Sequence, residues 1–214
     1  MKPSAFVDAL STVHLDAVFN PYSDRCPVHD RVDAPQRRRA NLRAFLESVC
    51  DDEVDSIWIA RDLGYRGGRR TGLPLTDEIH LKTFSEVYGL SLSRATKGPP
   101  MAERTAAIIW KVLTQIDCPV FLWNIFPLHP YEPGDPLSNR CHTRTERDVF
   151  RDLLFALLQM LRPRRLVAIG RDAQLALADL SLDSVPVRHP SYGGQSDFIR
   201  GMNEAYGLLS QSQI

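Results

Sequence analysis

The chain has 214 residues, of which 43% are hydrophobic, 24% charged and 8% aromatic. That is the make-up of one ordinary globular domain spanning residues 1–214, with enough apolar material for a real core; a disordered or fibrous chain is excluded. Lysine plus arginine and aspartate plus glutamate both count 26, for a formal net charge of zero, so any attraction to nucleic acid has to come from local patches and not from the whole surface. No run of about 18 apolar residues is present, and Met1 to Asp8 carry neither a signal-peptide nor a transit pattern. The expectation is a cytoplasmic protein with no membrane contact, a monomer being the simplest assembly.

In chain order, an amphipathic stretch of helical period over Ala40 to Val49 is followed by a short apolar run, Ser56 to Ala60, that reads as a buried strand. Beyond it comes the loop ARDLGYRGGRRTGLP, beginning at Ala60. Leu92 to Pro100, with Gly98, Pro99 and Pro100, reads as a surface loop. A helix over Ala102 to Gln115 leads into a second strand, Pro119 to Trp123, and the loop WNIFPLHPYEPGDPLSNR. A helix over Glu146 to Leu161 precedes a third strand, Leu166 to Gly170, with the loop GRDAQ. Next come a helix over Asp172 to Leu180 and a fourth strand, Val185 to Val187, with the loop RHPSYGGQ. A last helix covers Ser196 to Leu209. Such alternation implies a parallel sheet with helices on both faces, in which ligands bind beyond the carboxyl ends of the strands.

Several chemistries can be weighed on these loops. The first is glycine-rich, yet GxGxxG is absent, and Gly67-Gly68-Arg69-Arg70-Thr71-Gly72 lacks the lysine of a phosphate-binding P-loop. That argues against a nucleotide-dependent enzyme. Cys26, Cys50, Cys118 and Cys141 lie far apart and read as thiols. Cys26 with His29 and Cys141 with His142 have a spacing that only hints at zinc, and no CxxC pair is present, so the expectation is no metal and no cofactor. Arginines gather at 37–39, 61–70 and 162–165. A charge run is usually a solvated face, but beside three glycines the group Arg66, Arg69 and Arg70 also suits close approach to a phosphate backbone.

Taken together and in this order, the loops resemble the active-site motifs of the uracil-DNA glycosylase superfamily. The likeness runs over nearly the whole chain. It is nearest to a bacterial branch of small glycosylase-like proteins whose first motif reads similarly to GEAPGYRGCRRTGVPF, where this chain has Ala60-Arg61-Asp62-Leu63-Gly64-Tyr65-Arg66-Gly67-Gly68-Arg69-Arg70-Thr71-Gly72-Leu73-Pro74-Leu75. Asn124 follows the second strand, and His189-Pro190-Ser191 follows the fourth. The resemblance implies a three-layer α/β/α sandwich around a central parallel four-stranded sheet. It also implies a monofunctional DNA glycosylase that flips a pyrimidine out of DNA and cuts its N-glycosidic bond.

That reaction builds positive charge on the sugar and negative charge on the departing base. The resemblance makes Asp62 the carboxylate that orients water and stabilises the sugar cation, and His189 the donor to the pyrimidine O2. Asn124 pairs with the Watson-Crick edge, in one amide orientation for uracil and in the other for cytosine. Alone, an aspartate after a strand is as readily a turn or cap residue, and a histidine before proline a loop hydrogen-bonder; three such residues at one sheet edge make coincidence a poor explanation. Ser191 and Tyr192 are expected on DNA, Tyr192 as a wedge into the base stack or else as a half-buried loop tyrosine.

Three departures bear on substrate choice. Arg61 stands where the nearest relatives have Glu, Gly64 where other members have a tyrosine that blocks thymine's methyl group, and Leu75 where they have phenylalanine. Gly64 is expected to open the pocket and Leu75 to remove a stacking surface, with Arg61 as an added donor, unless Tyr65 swings in as the gate. The expected substrate is a C5-substituted pyrimidine, such as the glucosylated hydroxymethylcytosine of phage DNA, in anti-phage defence; uracil repair and a non-catalytic reader of modified DNA are the alternatives.

Overall fold

A computed structural model describes residues 1–50 and 53–208. Its elements, in chain order, are α1 (Pro3–Ser11), β1 (Val18–Phe19), α2 (Ala34–Val49), β2 (Ser56–Asp62), α3 (Gly68–Thr71), α4 (Leu81–Tyr88), α5 (Arg104–Leu113), β3 (Val120–Phe126), β4 (His129–Pro130), α6 (Arg144–Asp148), α7 (Arg151–Leu161), β5 (Arg165–Ile169), α8 (Arg171–Asp179), β6 (Val185–Val187) and α9 (Gln195–Tyr206). The residue Leu209, expected to end the last helix, lies outside the described residues.

Four strands form one parallel sheet in the order β3-β2-β5-β6, and β1 pairs with β4 in a separate antiparallel ribbon. Strand β2 is central and buried over its first five residues. All seven residues of β3 are buried, as a strand covered on both faces requires. On one face, Phe121 stacks on Phe45 of α2 with ring centres 4.3 Å apart, while Trp123 meets Phe6 of α1 at 5.5 Å. On the other, Trp58 packs edge-on against Phe198 of α9 and donates its indole N–H to the Tyr206 hydroxyl at 2.6 Å. Helices therefore cover both faces, and the architecture is the three-layer α/β/α sandwich that the alternation of elements implies.

The structure corrects several boundaries. Strand β2 continues to Asp62 and β3 to Phe126, because Ala60 pairs with Asn124 and Asp62 with Phe126 in parallel register. Asp62 and Asn124 are thus strand residues and not loop residues. The expected helix from Glu146 to Leu161 is two helices: Thr143 caps α6 through a reciprocal box with Glu146, and the chain breaks at Val149 and Phe150 before α7 starts. Helix α2 begins six residues earlier than its periodicity indicates, with proline in its first turn. Helices α1 and α4 and the β1–β4 ribbon had no expectation. Residues 92–100 are irregular, but the middle is not surface: Ala95 and Thr96 are buried, and Thr96 bridges to Asp30. No helix among the described residues is long and apolar enough to cross a membrane.

Candidate active site

The register brings the ends of β2, β3, β5 and β6 to one edge of the sheet, where Asp62, Asn124, Gly170 and His189 gather. Asp62, last in β2, has a side chain only 9% exposed. Its Oδ2 accepts a hydrogen bond from Arg61 Nε at 2.9 Å, and Arg61 Nη1 donates at 3.0 Å to Asp172 in the first turn of α8. Arg61 is thereby held between two carboxylates, one at the end of β2 and one in the first turn of α8. His142 also faces Asp62, with Nδ1 3.4 Å from Oδ2 and its ring stacked on Phe126 at 5.1 Å.

Asn124 is almost wholly buried, and its Oδ1 has no hydrogen-bond partner among the described residues. An unpaired buried carbonyl oxygen costs about 1–3 kcal/mol, so one left bare at the carboxyl edge of a sheet is a ligand-binding feature more readily than a packing one. His129 is also buried. Its Nδ1 lies 2.8 Å from the Leu63 carbonyl, and its Nε2 is buried with no hydrogen-bond partner among the described residues. Burial, with the Leu63 bond opposing it, brings His129 down to about 4, so the ring is neutral at pH 7.

His189 is neutral too. Burial, together with Arg61 and Arg188, lowers it to about 4. The Ser191 backbone N–H donates to His189 Nδ1 at 3.2 Å. A ring nitrogen that accepts carries no hydrogen, so the proton sits on Nε2, which is then a neutral donor. Gly170 makes room for this ring: at φ +90° a side chain there would be strained, and its Cβ would lie 3.1 Å from His189 Cβ.

The space beside Gly64 is not open. A Cβ on Gly64 would meet Glu103 Oε1 at 2.7 Å, and one on Gly67 would meet Oε2 at 2.0 Å. The carboxyl group of Glu103, just before α5, fills the volume that the missing side chains leave. Burial raises Glu103 to about 7, with the Asp77 charge adding and Arg66 opposing, and no described residue donates a hydrogen bond to it. Its own backbone N–H donates to Asp77 at 2.6 Å, and Asp77 pairs with His80 at 2.7 Å. Tyr65 is half-buried, its N–H held by Asn139 at 3.0 Å and its ring flanked by Arg66, whose Nε donates to the Tyr65 hydroxyl at 2.6 Å. Arg66 itself is exposed.

Three expected site residues fall elsewhere. Arg69 and Arg70 are 2% and 5% exposed, and they hold the fold together instead of facing phosphate. Arg70 donates to Glu78 at 2.9 Å and to Thr96 at 3.2 Å, and the Arg69 guanidinium lies 4.0 Å over the ring of Phe19. The spacing of the run is responsible: α3 turns these two side chains inward while Arg66, before it, stays outside. Leu75 is drawn into the hydrophobic core with a left-handed backbone (φ 55°), so it is not an open surface on which a base could stack. Tyr192, by contrast, is 98% exposed, also with left-handed backbone (φ 49°), and Ser191 is tied to His189 through a 2.7 Å side-chain contact.

Sequence reasoning passed over Asp172, His129 and Glu103, and treated His142 only as a metal-ligand candidate with Cys141. Asp172 lay in a loop already marked by its position after a strand; His129 and Glu103 carried no local signal. Among the described residues no three His, Cys, Asp or Glu side chains assemble into a metal-holding group, so Cys26, His29, Cys141 and His142 do not converge.

Comparison with known proteins gives matches of two kinds. The family model of the Uracil DNA glycosylase superfamily matches residues 64–205. The crystal structure of wild-type Pedobacter heparinus SMUG2 superposes with a TM-score of 0.66 over 97% of each chain at 13% identity, which shows a shared fold. No curated protein sequence matches the chain.

Proposed function

The chain belongs to the uracil DNA glycosylase superfamily, and from that premise we propose that it hydrolyses the N-glycosidic bond of a pyrimidine flipped out of DNA. Asp62, Asn124 and His189 share one sheet edge, and the buried, unpaired Asn124 is the observation that carries the reading. With a base in the pocket, the Asn124 amide pairs with the Watson-Crick edge and ends its unpaired state. The His189 Nε2–H points a neutral donor at the pyrimidine O2, where negative charge develops. Asp62 supplies the carboxylate beside the sugar. Water adds through oxygen to C1′, its proton passes to Asp62, and the C1′–N1 bond breaks with its electron pair leaving on the base, which later takes up the proton. The nucleophile is water, and neither a metal ion nor a lysine is needed.

The substrate we propose is a pyrimidine with a polar group at C5. The family position that others fill with a tyrosine ring is here Gly64, walled by the ionisable carboxyl of Glu103, and Arg61 adds a cationic donor in place of an acidic residue. A polar wall suits a hydroxylated substituent, whereas thymine's methyl group would leave Glu103 desolvated and unpaired. Uracil is the second reading, favoured by the fact that Glu103 fills the space beside Gly64 and keeps the pocket tight. Exposed Arg66 and Tyr192 would meet the DNA backbone and the base stack.

The test is excision from oligonucleotides carrying uracil, 5-hydroxymethylcytosine or its glucosylated form, read by alkaline cleavage at the abasic site. Asp62→Asn should lower excision about a hundredfold to a thousandfold while DNA binding is kept. Cleavage of uracil alone would establish the second reading. Binding to modified DNA without cleavage of any of the three, with Asp62→Asn no different, would make the protein a reader and overturn the catalytic one.

A further inference from the structure

Beyond the residues that would touch the base and sugar, His142 stands out as a buried polar side chain aimed at the Asp62 carboxylate. Its side chain is 8% exposed and its Nδ1 has no hydrogen-bond partner, although Asp62 Oδ2 is 3.4 Å away. A buried ring nitrogen left short of a bond is costly, so its orientation has to be imposed by the surroundings. Those surroundings are rigid. Two residues before it, the Arg140 guanidinium grips Glu146 with two bonds of 2.6 and 3.0 Å and also donates to the carbonyls of Tyr131, Cys141 and Ala17 at 2.9, 3.0 and 3.2 Å. Immediately after it, Thr143 caps α6 in the box with Glu146. Phe126, the residue paired with Asp62 across the sheet, supplies the surface on which the imidazole stacks. The ring is thus clamped from both sides of the chain and seated on the neighbouring strand.

Both partners of Asp62 approach the same oxygen. Arg61 Nε and His142 Nδ1 face Oδ2, while Oδ1 accepts no hydrogen bond from the described residues. A carboxylate fixed through one oxygen cannot rotate, and its other oxygen is then held at one angle for a water molecule. We propose that His142 is a positioning residue for the hydrolytic reaction: by donating from Nδ1 to Asp62 Oδ2 once the site closes on DNA, it locks the carboxylate so that Oδ1 presents the attacking water to the sugar. The contact shortens from 3.4 Å to hydrogen-bonding distance in that step, as such bonds commonly do when substrate is bound. Arg61 performs the same fixing at the open edge but is shared with Asp172, so His142 is the partner devoted to Asp62 alone. The inference rests on the glycosylase reading for its chemistry, and on the Asp62 contact for its geometry.

Two measurements separate those layers. The first needs no activity: in the whole protein labelled at its histidine nitrogens, the His142 Nδ1 resonance should move on Asp62→Asn, which leaves His142 itself untouched. An unmoved resonance overturns the proposal whatever the enzyme cleaves. The second is single-turnover excision of whichever of the three oligonucleotides the wild type cleaves. His142→Phe keeps the stack on Phe126 and removes the donor; it should slow the chemical step by about a hundredfold with unchanged DNA affinity, the cost of a small misplacement at the reacting centre. His142→Asn places an amide donor near the Nδ1 position and should recover much of that rate, whereas His142→Gln, with its donor displaced toward Nε2, should not. If His142→Phe turns over like the wild type, or if Asn and Gln behave alike, His142 does not position Asp62. Absence of excision by the wild type overturns the glycosylase reading instead, and with it the catalytic half of this one, leaving the resonance shift to decide the contact.

Discussion

Glu103 should make the protein less stable as the pH rises through neutrality, against the trend expected of ordinary carboxylates. Its carboxyl group sits against Gly64 and Gly67, half-buried, with no donor among the described residues and with the charge of Asp77 nearby. In the unfolded chain it ionises near 4.5, in the folded protein near 7. Between those values the folded state binds the extra proton, so stability falls with rising pH in this window; it is fully retained below the unfolded value and lost as pH passes 7. The difference corresponds to about 3 kcal/mol. The perturbation is Glu103→Gln, isosteric and uncharged at every pH. The assay is urea or thermal unfolding of both proteins from pH 5 to 8.5. His129 and His189, lowered to about 4, act in the opposite sense below pH 6.5, where the unfolded state binds more protons; taking the difference between variant and wild type cancels them. The variant should match the wild type near pH 5 and exceed it by about 3 kcal/mol at pH 8.5, or roughly 6–12 °C in Tm at about 2–4 °C per kcal/mol. An advantage that is the same at both pH values would show that Glu103 does not hold a proton in the folded protein, and would refute the packing argument at Gly64.

Two further outcomes follow from the arginines. Arg70→Ala should destabilise the fold by about 3 kcal/mol, seen as a lower midpoint in urea, because Glu78 would remain buried without its main cation while Arg94 and Thr96 only partly replace it; the salt dependence of DNA binding should not change. Arg66→Ala should leave stability alone and reduce the slope of log affinity against log salt by about one, the signature of a single lost phosphate contact.

The contrast between these arginines shows what was legible in the sequence and what was not. The sheet could be read because each apolar run is short, continuous and followed by turn residues, which is what a strand buried on both faces looks like. The order of the loops could be read because parallel topology puts every strand's end at the same edge. Parallel topology accounts for Asp62, Asn124 and His189 sharing that edge; the choice of these three residues comes from the resemblance to the glycosylase superfamily. Strand ends were not: Asp62 and Asn124 are polar, so the apolar pattern stops before the ladder does.

Arg66, Arg69 and Arg70 look alike in a string of letters, and composition gave all three to DNA. What separates Arg70 from Arg66 is rotation about the short helix α3 and the presence of Glu78 and Thr96, which come from 8 and 26 residues further along, whereas Arg69 is set over the ring of Phe19, from far earlier in the chain. Long-range pairing of this kind leaves no local mark. For Arg70 the buried charge is met by Glu78, so the partner's position decides the role, and no reading of the loop alone supplies it. The same holds for Gly64. A glycine removes a side chain from its own position, but whether that leaves a hole depends on what the rest of the chain puts there. Here it is the carboxyl of a residue 39 positions away, which turns an expected opening into a wall whose charge depends on pH. On the proposed reading, substrate choice at C5 would turn on how Glu103 is protonated and satisfied, and less on the size of the residue at position 64.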